Sequence, residues 1–246
     1  MNTRSILDNM IVQTSPKIIY PDCDGQPMSD NTKQFRWIVT IKENLELLFA
    51  KDPNVFVAGD LLWYPVEGNN TIRNAPDAMV VFGRPKGDRG SYRQWEEDHI
   101  PPQVVFEILS PGNRMGEMNK KLRFYEQHGV DEYYIYDPDR FDLTGWMRRG
   151  DRLESIDEME GWVSPKLMIK FELQPDNLVI YRPDGEKFLG FIELDEQRRI
   201  AEEQRHIAEE QRHIAEEQRH IAEERATRLA AKLRELGVDP DTIDRL

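Results

Sequence analysis

A seven-residue repeat near the carboxyl end limits what this chain can fold into. The string Ile-Ala-Glu-Glu-Gln-Arg-His occurs three times in succession over residues 200–220 and begins again at Ile221. Residues 193–236 contain neither glycine nor proline and are rich in good helix formers, so they predict one long charged helix. Each repeat offers only one isoleucine and one alanine for burial. A globular core must therefore form from the residues that precede the repeat.

The repeat leaves open whether this helix has a partner. A strict seven-residue period suits a left-handed coiled coil, and the leucines near the end of the helix sharpen the apolar seam. This interpretation predicts a homodimer through the helix. A solvated single helix is the alternative, because pairs such as Glu202–Arg205 and Arg205–Glu209 support a helix without a partner. Gly237 is predicted to end the helix, and residues 237–246 form a short tail.

Composition argues against several classes of protein. The 246-residue chain carries a formal net charge of -13, which disfavours binding to nucleic acid by bulk attraction but is compatible with a local basic cleft. Cys23 is the only cysteine, so neither a disulfide framework nor a zinc-thiolate cluster is expected. The first twenty residues lack a long apolar stretch, and we therefore expect no secretory signal and no membrane span. A reducing cytoplasm is the simplest compartment.

Hydrophobic periodicity predicts a folded domain over residues 31–192, after an irregular N-terminal arm at residues 1–30. An apolar stripe beginning near Asn31, a good helix cap, predicts a first helix that ends close to residue 50. Val55–Ala58 and Leu61–Tyr64 then predict a hairpin that turns at the Gly-Asp pair between them. A long loop is predicted next to the following strand, over residues 83–103.

The middle of the chain predicts strands separated by a helix. The predicted strands are Ala78–Phe82, Val104–Leu109 and Glu132–Asp137. A helix from about Arg114 to His128, capped by Asn113, separates the second and third of these strands. Strand-helix-strand in this order implies a crossover between strands of one sheet. Residues 141–182 predict further short strands, broken at glycines that include Gly145.

Two acids occupy unusual places in the predicted strands. Glu107 lies inside Val-Val-Phe-Glu-Ile-Leu, where a carboxylate is costly to bury unless it is paired or binds a metal. Asp77 follows Pro76 at the head of the strand 78–82. If the two strands are neighbours, both carboxylates would face one cleft and share a hard cation. Mg²⁺ prefers such sites, with one or two carboxylates, water and substrate phosphate as ligands.

A lysine on the following helix completes a candidate site for phosphodiester cleavage. Lys121 would hold the attacking water or the scissile phosphate, and Glu117, four residues earlier on the same helix face, would orient it. The metal would acidify a water and offset charge in the transition state. Each residue also has a structural interpretation. Asp77 suits a turn, Glu107 suits an exposed sheet edge, and Lys121 is one of several neighbouring cations.

The ordered motifs resemble the PD-(D/E)XK restriction-endonuclease superfamily, and more closely a bacterial group within it, the Uma-type family. The matching strings are Pro76-Asp77, Glu107-Ile108-Leu109-Ser110-Pro111, Lys121 to Tyr125, Gly129 to Tyr133, Asp137-Pro138 and Leu236 to Pro240. The superfamily usually places its lysine two residues after the acid, where this chain has Leu109. The resemblance therefore implies that Lys121 supplies this function from the helix. The family often has Asp where Glu117 stands.

The resemblance implies both a fold and an activity. The expected fold is α/β, a restriction-endonuclease-like central mixed β-sheet flanked by helices, followed by the long C-terminal α-helix. The expected reaction is hydrolysis of DNA phosphodiester bonds with Mg²⁺, or with Mn²⁺ in its place. Asp77, Glu107 and the backbone carbonyl of Ile108 are the implied metal ligands, and Asp77, Glu107 and Lys121 are the implied catalytic residues.

Other features leave more than one function open. Arg84, Lys86, Arg89 and Arg93 lie in the predicted loop 83–103, where they would contact a phosphate backbone or simply keep the loop soluble. A protein that keeps the nuclease fold without turnover and binds nucleic acid is one alternative to an enzyme. An adaptor that contacts its partner through the C-terminal helix is another.

Overall fold

The structure, a computed structural model, describes residues 18–23, 31–112 and 115–237. Within these ranges it contains three α-helices, ten strands and a short 3₁₀ helix at Gln94–Glu96. The helices are α1 (Thr32–Leu48), α2 (Met115–Gln127) and α3 (Phe191–Glu235). The strands are β1 (Val55–Ala58), β2 (Trp63–Tyr64), β3 (Ala78–Phe82), β4 (Tyr92–Arg93), β5 (Val104–Ile108), β6 (Glu132–Asp137), β7 (Asp142–Arg149), β8 (Arg152–Ser155), β9 (Lys170–Gln174) and β10 (Asn177–Tyr181).

Six strands form one mixed sheet in the order β1-β3-β5-β6-β7-β8. β5 and β6 are parallel and are connected through α2, whereas every other neighbouring pair in this sheet is antiparallel. The remaining strands pair outside it, β9 with β10 antiparallel and β2 with β4 parallel. This architecture confirms the predicted α/β fold with a central mixed sheet.

The two faces of the sheet have separate apolar cores, because successive side chains along a strand point to opposite sides. Ile41 of α1 belongs to one core, together with Val80 and Phe106. Tyr125 of α2 belongs to the other, together with Val105. Helices therefore flank the sheet, as predicted. Each helix can bury its apolar stripe because the strands between the faces are apolar on both sides.

α1 begins where the sequence predicts. The Asn31 side chain accepts a hydrogen bond from the Gln34 N–H at 2.8 Å, which satisfies one of the free donors at the start of the helix. This contact orients the first turn of α1, whose Gln34 side chain then reaches the end of β5.

The hairpin predicted for Val55–Ala58 and Leu61–Tyr64 does not form. β1 pairs with β3, while β2 pairs with β4 in a different sheet. The Asp60 N–H donates to the Pro76 carbonyl at 3.0 Å, so the chain leaving β1 still pairs with the segment before β3. All residues of β1 are buried, and an isolated two-stranded ribbon would not provide that burial.

Other local predictions differ from the structure. The segment 83–103, predicted as a loop, contains β4 and the 3₁₀ helix. Gly145 lies inside β7 rather than at a break, and a Cβ there would come within 2.7 Å of Met159 Sδ and 2.8 Å of Ile156 Cδ1. This glycine permits close packing rather than a turn. The predicted cap Asn113 lies outside the described residues.

The chain separates into two compact units, one extending to Gly190 and the other beginning at Phe191. The described part of the second unit is made almost entirely of α3, which spans 45 residues without a buried side chain. Most of the predicted N-terminal arm and residues 238–246 of the predicted tail lie outside the described residues. None of the described helices combines the length and hydrophobicity that a bilayer-spanning segment needs.

Candidate active site

Strand register brings Asp77 and Glu107 to the same place. β3 and β5 are antiparallel neighbours with Ala78 opposite Phe106, so one further step along the register sets Asp77 beside Glu107. Residues opposite each other on neighbouring strands share a face of the sheet, here the face that carries α2. Glu107 is only 2% exposed, and Asp77 is half-buried. The condition on which the predicted site depends, that the two strands are neighbours, is met.

Glu107 is held by two side chains of α2. Lys121 Nζ donates to Glu107 Oε2 at 2.6 Å, and the Tyr125 hydroxyl donates to Glu107 Oε1 at 2.5 Å. Both reach one carboxylate because residues four apart lie on the same side of a helix. A carboxylate this deeply buried is tolerated because each oxygen has a strong donor and one donor is a cation.

Asp77 and Ile108 are joined through the backbone. The Ile108 N–H donates to Asp77 Oδ2 at 2.6 Å, just beyond the paired part of β3. The Ile108 carbonyl, an implied metal ligand, accepts a hydrogen bond from Gln34 Nε2 of α1 at 2.8 Å. A carbonyl oxygen has two lone pairs, so the second would remain for a metal. Gln34 thereby fixes the end of β5 from the opposite face of the sheet.

The electrostatics of the site keep Lys121 protonated. Burial alone would lower the pKa of Lys121, but the charge and hydrogen bond of Glu107 outweigh burial and raise it above its usual value. The negative charges of Asp77 and Glu117 also raise the pKa of Lys121. The position of Glu117 on α2 is consistent with this role of supporting the charged form of Lys121. Lys121 in this state is therefore a cation and hydrogen-bond donor, not a base.

Sequence reasoning did not assign Tyr125 or Asn74 to the site. Asn74 Nδ2 donates to the Tyr125 hydroxyl at 3.1 Å, and burial, followed by the charge of Glu107, raises the pKa of Tyr125. The phenol therefore stays protonated and acts as a donor to Glu107. The four-residue spacing from Lys121 could have indicated Tyr125. Nothing local indicates Asn74, because its contact depends on tertiary structure.

The residues present fit a hard divalent cation. Two carboxylates and a backbone carbonyl are the oxygen donors that Mg²⁺ prefers, with water or phosphate to complete the shell. The Tyr133 hydroxyl is buried without a hydrogen-bond partner in the described part of the chain, and burial, then the charges of Glu107 and Asp77, raises its pKa. A buried orphan hydroxyl near these carboxylates suits a site that gains polar ligands when occupied. Within the described ranges, no group of three or more His, Cys, Asp or Glu side chains could hold a metal alone.

The four cations predicted to contact nucleic acid have acidic partners in the structure. The N···O pairs are Arg84–Glu97 at 2.8 Å, Arg89–Glu97 at 2.7 Å, Lys86–Glu46 at 3.1 Å and Arg93–Glu96 at 3.4 Å. Arg84 also pairs with Asp98, and the Arg89 guanidinium lies 3.9 Å from the centroid of the Phe56 ring. These contacts favour a structural role in the segment 83–103. Contact with nucleic acid stays a prediction.

A second buried carboxylate, Glu132, lies on the opposite face of the sheet. It accepts hydrogen bonds from Ser164 Oγ at 2.5 Å, the Lys166 N–H at 2.7 Å and the Tyr134 hydroxyl at 2.9 Å. The Tyr134 hydroxyl in turn accepts from Trp162 Nε1 at 3.1 Å. Burial raises the pKa of Glu132, although these hydrogen bonds act in the other direction. Its hydrogen-bond donors are neutral groups that join β6 to the segment before β9, so we assign Glu132 a structural role.

A cleft of about 360 Å³ is lined by residues that include Lys42, Phe56 and Lys86. None of the candidate catalytic residues is among its lining residues, so this cleft is separate from the site at Glu107.

A family model matches residues 9–178 of this chain. The family is Uma2, described as "Putative restriction endonuclease", and the match covers more than half of the sequence. The chain belongs to the Uma2 family. The Uma2 match includes Asp77, Glu107, Ile108 and Lys121, and it confirms the family expected from the ordered motifs. It ends before α3.

Other comparisons add little to the Uma2 assignment. No curated protein matches the sequence. A solved structure described as a "putative nuclease belonging to DUF820 from Anabaena variabilis" is 17% identical and covers 57% of this chain and 74% of its own, with a TM-score of 0.42. A structural similarity this low supports no conclusion about activity.

Proposed function

We propose that this Uma2 protein is a Mg²⁺-dependent endonuclease that hydrolyses DNA phosphodiester bonds. The observation that carries the proposal is the convergence of Asp77, Glu107 and Lys121, which come from two neighbouring strands and one helix. The family description supports nuclease chemistry, and the oxygen donors support a hard cation, with Mn²⁺ as a substitute.

The residues would divide the work as follows. Asp77 and Glu107, with the Ile108 carbonyl, would hold the metal, which supplies an acidified water and offsets charge on the phosphate. The protonated Lys121 would bind the scissile phosphate and stabilise its developing negative charge. Glu117 would support Lys121 electrostatically by favouring its charged form. Lys121 would not accept a proton from water while it remains paired with Glu107.

Cleavage of plasmid, linear and branched DNA, with Mg²⁺ or Mn²⁺ and with a chelator, tests this proposal. Asp77→Asn, Glu107→Gln and Lys121→Met should each reduce cleavage by about 100-fold or more, because each removes either a metal ligand or the positive charge that would stabilise the reacting phosphate. Glu132→Gln is the matched control, since it neutralises a buried carboxylate on the other face. Equal cleavage by the unaltered protein and all three site variants would overturn the proposal.

Lys121→Met also separates turnover from metal binding. The substitution removes the cation paired with Glu107, so a bound divalent metal would become the main counter-charge of this carboxylate. We expect Mn²⁺ to bind and to raise the thermal stability of this variant at least as much as in the unaltered protein, although cleavage is lost.

The exposed surface of α3 favours a second candidate function. Its isoleucines recur every seven residues and are about half exposed, at 50% for Ile200 and 47% for Ile207 and Ile214. A protein that acts as an adaptor, or that binds nucleic acid without turnover, would depend on this helix for its partner. Binding of Mn²⁺ without cleavage, combined with loss of a partner on removal of α3, would favour this alternative.

A further inference from the structure

A chain of hydrogen bonds leads from Glu107 to the segment that carries Asp77. The Tyr125 hydroxyl donates to Glu107 Oε1 at 2.5 Å, and Asn74 Nδ2 donates to the same hydroxyl at 3.1 Å. The backbone of Asn74 is fixed by two hydrogen bonds with Trp63, at 2.7 and 3.2 Å. Asn74 stands three residues before Asp77 in the sequence. One phenol thus connects Glu107 with the segment that leads to Asp77.

Packing leaves the Tyr125 ring little freedom. The ring is completely buried, lies parallel to Trp63 with centroids 6.3 Å apart, and meets Tyr133 edge-on at 4.8 Å. A ring that is held on several sides sets the position of its hydroxyl oxygen. The packed ring therefore fixes the position of the hydroxyl, and the hydrogen bond from the hydroxyl holds the more flexible Glu107 side chain in place.

The direction of the hydrogen bonds is also determined. A hydroxyl has one proton to donate, and Asn74 already donates to this oxygen. The phenol proton is therefore directed to Glu107, which must accept it. This hydrogen bond fixes the position of Glu107 Oε1, and a fixed orientation is what outer partners provide to metal ligands.

We propose that Tyr125 is a positioning residue of the metal site and that Asn74 fixes the donor direction of its hydroxyl. This inference rests on the proposed function and adds two residues to it. Tyr125 holds Glu107 Oε1, so that the carboxylate is kept in one orientation beside Asp77. Outer partners of metal ligands commonly change metal affinity by about 10- to 100-fold when they are removed.

Tyr125→Phe tests the role directly, because it removes the hydroxyl and keeps the ring. The chain offers a matched control in Tyr134→Phe. Tyr134 also donates to a buried glutamate, Glu132, and also accepts from an N–H, that of Trp162. Both substitutions remove the same chemistry from opposite faces of the sheet. A loss that is merely structural should therefore affect the two variants alike.

The readout is binding of Mn²⁺ to the full-length protein, followed by electron paramagnetic resonance. We expect Tyr125→Phe to weaken binding by about 10- to 100-fold and Tyr134→Phe to bind as the unaltered protein does. In cleavage, the Mg²⁺ concentration for half activity should rise more than the rate at saturating Mg²⁺ falls. Equal binding by Tyr125→Phe and the unaltered protein, or equal weakening in both variants, would overturn the role of Tyr125.

Asn74→Ala provides an independent test of the proposal, which can still be made if Tyr125→Phe does not fold. This substitution frees the phenol proton to turn away from Glu107, so it should weaken Mn²⁺ binding less than Tyr125→Phe does. Added to Tyr125→Phe, it should produce no further loss, because the two residues act in series. Fully additive losses of Mn²⁺ binding in the double variant would contradict the proposal that Asn74 acts through Tyr125. Absence of Mn²⁺ binding in the unaltered protein would overturn the proposed metal site as well, whereas the outcomes above leave that site standing.

Discussion

Glu107 and Glu132 are glutamates of similar burial to which we assign different roles, a catalytic one for Glu107 and a structural one for Glu132. Each is 2% exposed, and each is accepted in the interior because its oxygens receive hydrogen bonds. Glu107 has a cationic donor, Lys121, and a second carboxylate, Asp77, beside it. The donors to Glu132 are neutral, and burial raises its pKa. The kind of donor, rather than burial itself, separates the candidate catalytic acid from the structural one.

The pH dependence of stability should reveal the pairing of Lys121. Its folded-state pKa is raised above the ordinary value of 10.5, so its contribution to stability is complete below that pH and is lost as the pH rises through the folded value. The difference in the free energy of unfolding between the unaltered protein and Lys121→Met should therefore shrink as the pH rises above about 10.5. Chemical denaturation at each pH measures it.

The exposed neighbour Lys120 provides the control for this prediction. Lys120→Met removes the same charge from a solvated position, so its effect on stability should be small at every pH. A difference for Lys121→Met that grows in alkali would contradict the ion pair with Glu107.

At the scale of secondary-structure elements, the structure of the segment 83–103 depends on one acidic residue, Glu97. Glu97 pairs with Arg84 and Arg89, and both arginine side chains are largely buried. Burial alone would raise the pKa of Glu97, but its hydrogen bonds and charge interactions with Arg89 and Arg84 lower it. These pairs replace the contacts with water that a mobile basic loop would make.

Glu97→Gln should therefore loosen this segment and release two arginines. We expect a loss of about 1–3 kcal/mol in the free energy of unfolding, since three charge-assisted hydrogen bonds from Arg84 and Arg89 are weakened. If Arg84 and Arg89 contact DNA, their release should also tighten DNA binding at low salt and steepen its salt dependence. Fluorescence anisotropy with labelled DNA measures both. Glu154→Gln, at an exposed pair with Arg149 outside the predicted contact, is the control, and unchanged DNA binding in Glu97→Gln would count against the predicted nucleic-acid contact.

α3 carries charge pairs and apolar groups that predict different assemblies. Ion pairs at four-residue spacing, such as Arg205–Glu209 and Arg212–Glu216, add about 0.3–0.5 kcal/mol each to a solvated helix. The isoleucines instead provide one apolar contact every seven residues for a second copy. The structure describes the helix without a partner, so self-association stays a prediction.

Substitution of Ile207 and Ile214 by Asn tests self-association of α3. We expect the unaltered protein to sediment as a dimer and this variant as a monomer, because the substitution removes the central part of the apolar seam. Helix content should stay close to that of the unaltered protein, since the ion pairs remain. The control replaces His206 and His213 by Asn. A monomeric unaltered protein across the concentration range would favour the single helix.

At the scale of the whole molecule, the boundary between the two units lies after Gly190. The Asn44 side chain donates to the Leu189 carbonyl at 2.9 Å and accepts from the Leu189 N–H at 3.2 Å, which ties the end of the first unit to α1. Phe188 belongs to the core of the first unit. The described contacts of the candidate site, from Gln34 to Tyr133, all join residues of this first unit.

A chain that ends at Gly190 should fold and keep the chemistry of the full protein. We expect its Mn²⁺ affinity and its cleavage rate to lie within about threefold of the full chain, because α3 contributes no buried residue to the core. A chain that ends at residue 186 should lose stability, since it lacks Phe188 and Leu189. Loss of cleavage with an intact fold in the longer truncation would favour the adaptor function.

The sequence by itself determined the features that depend on neighbours along the chain. Helix α3 follows from an unbroken run of helix formers, and β3, β5 and β6 follow from short apolar runs. Glu107 was identifiable because a carboxylate within an apolar strand requires a partner, and the ordered motifs identified the Uma2 family.

Only the tertiary structure decided which distant residues meet. Ile108 and Asp77 are 31 residues apart in the chain and are joined by strand register, and Ile108 and Gln34 are 74 residues apart. The same holds for the pairing of β1 with β3, which replaced the predicted hairpin. Periodicity reports which face a residue occupies within its own element, whereas register and packing depend on the fit between elements. The candidate acids were visible in the sequence, but the side chains that hold them in place were not.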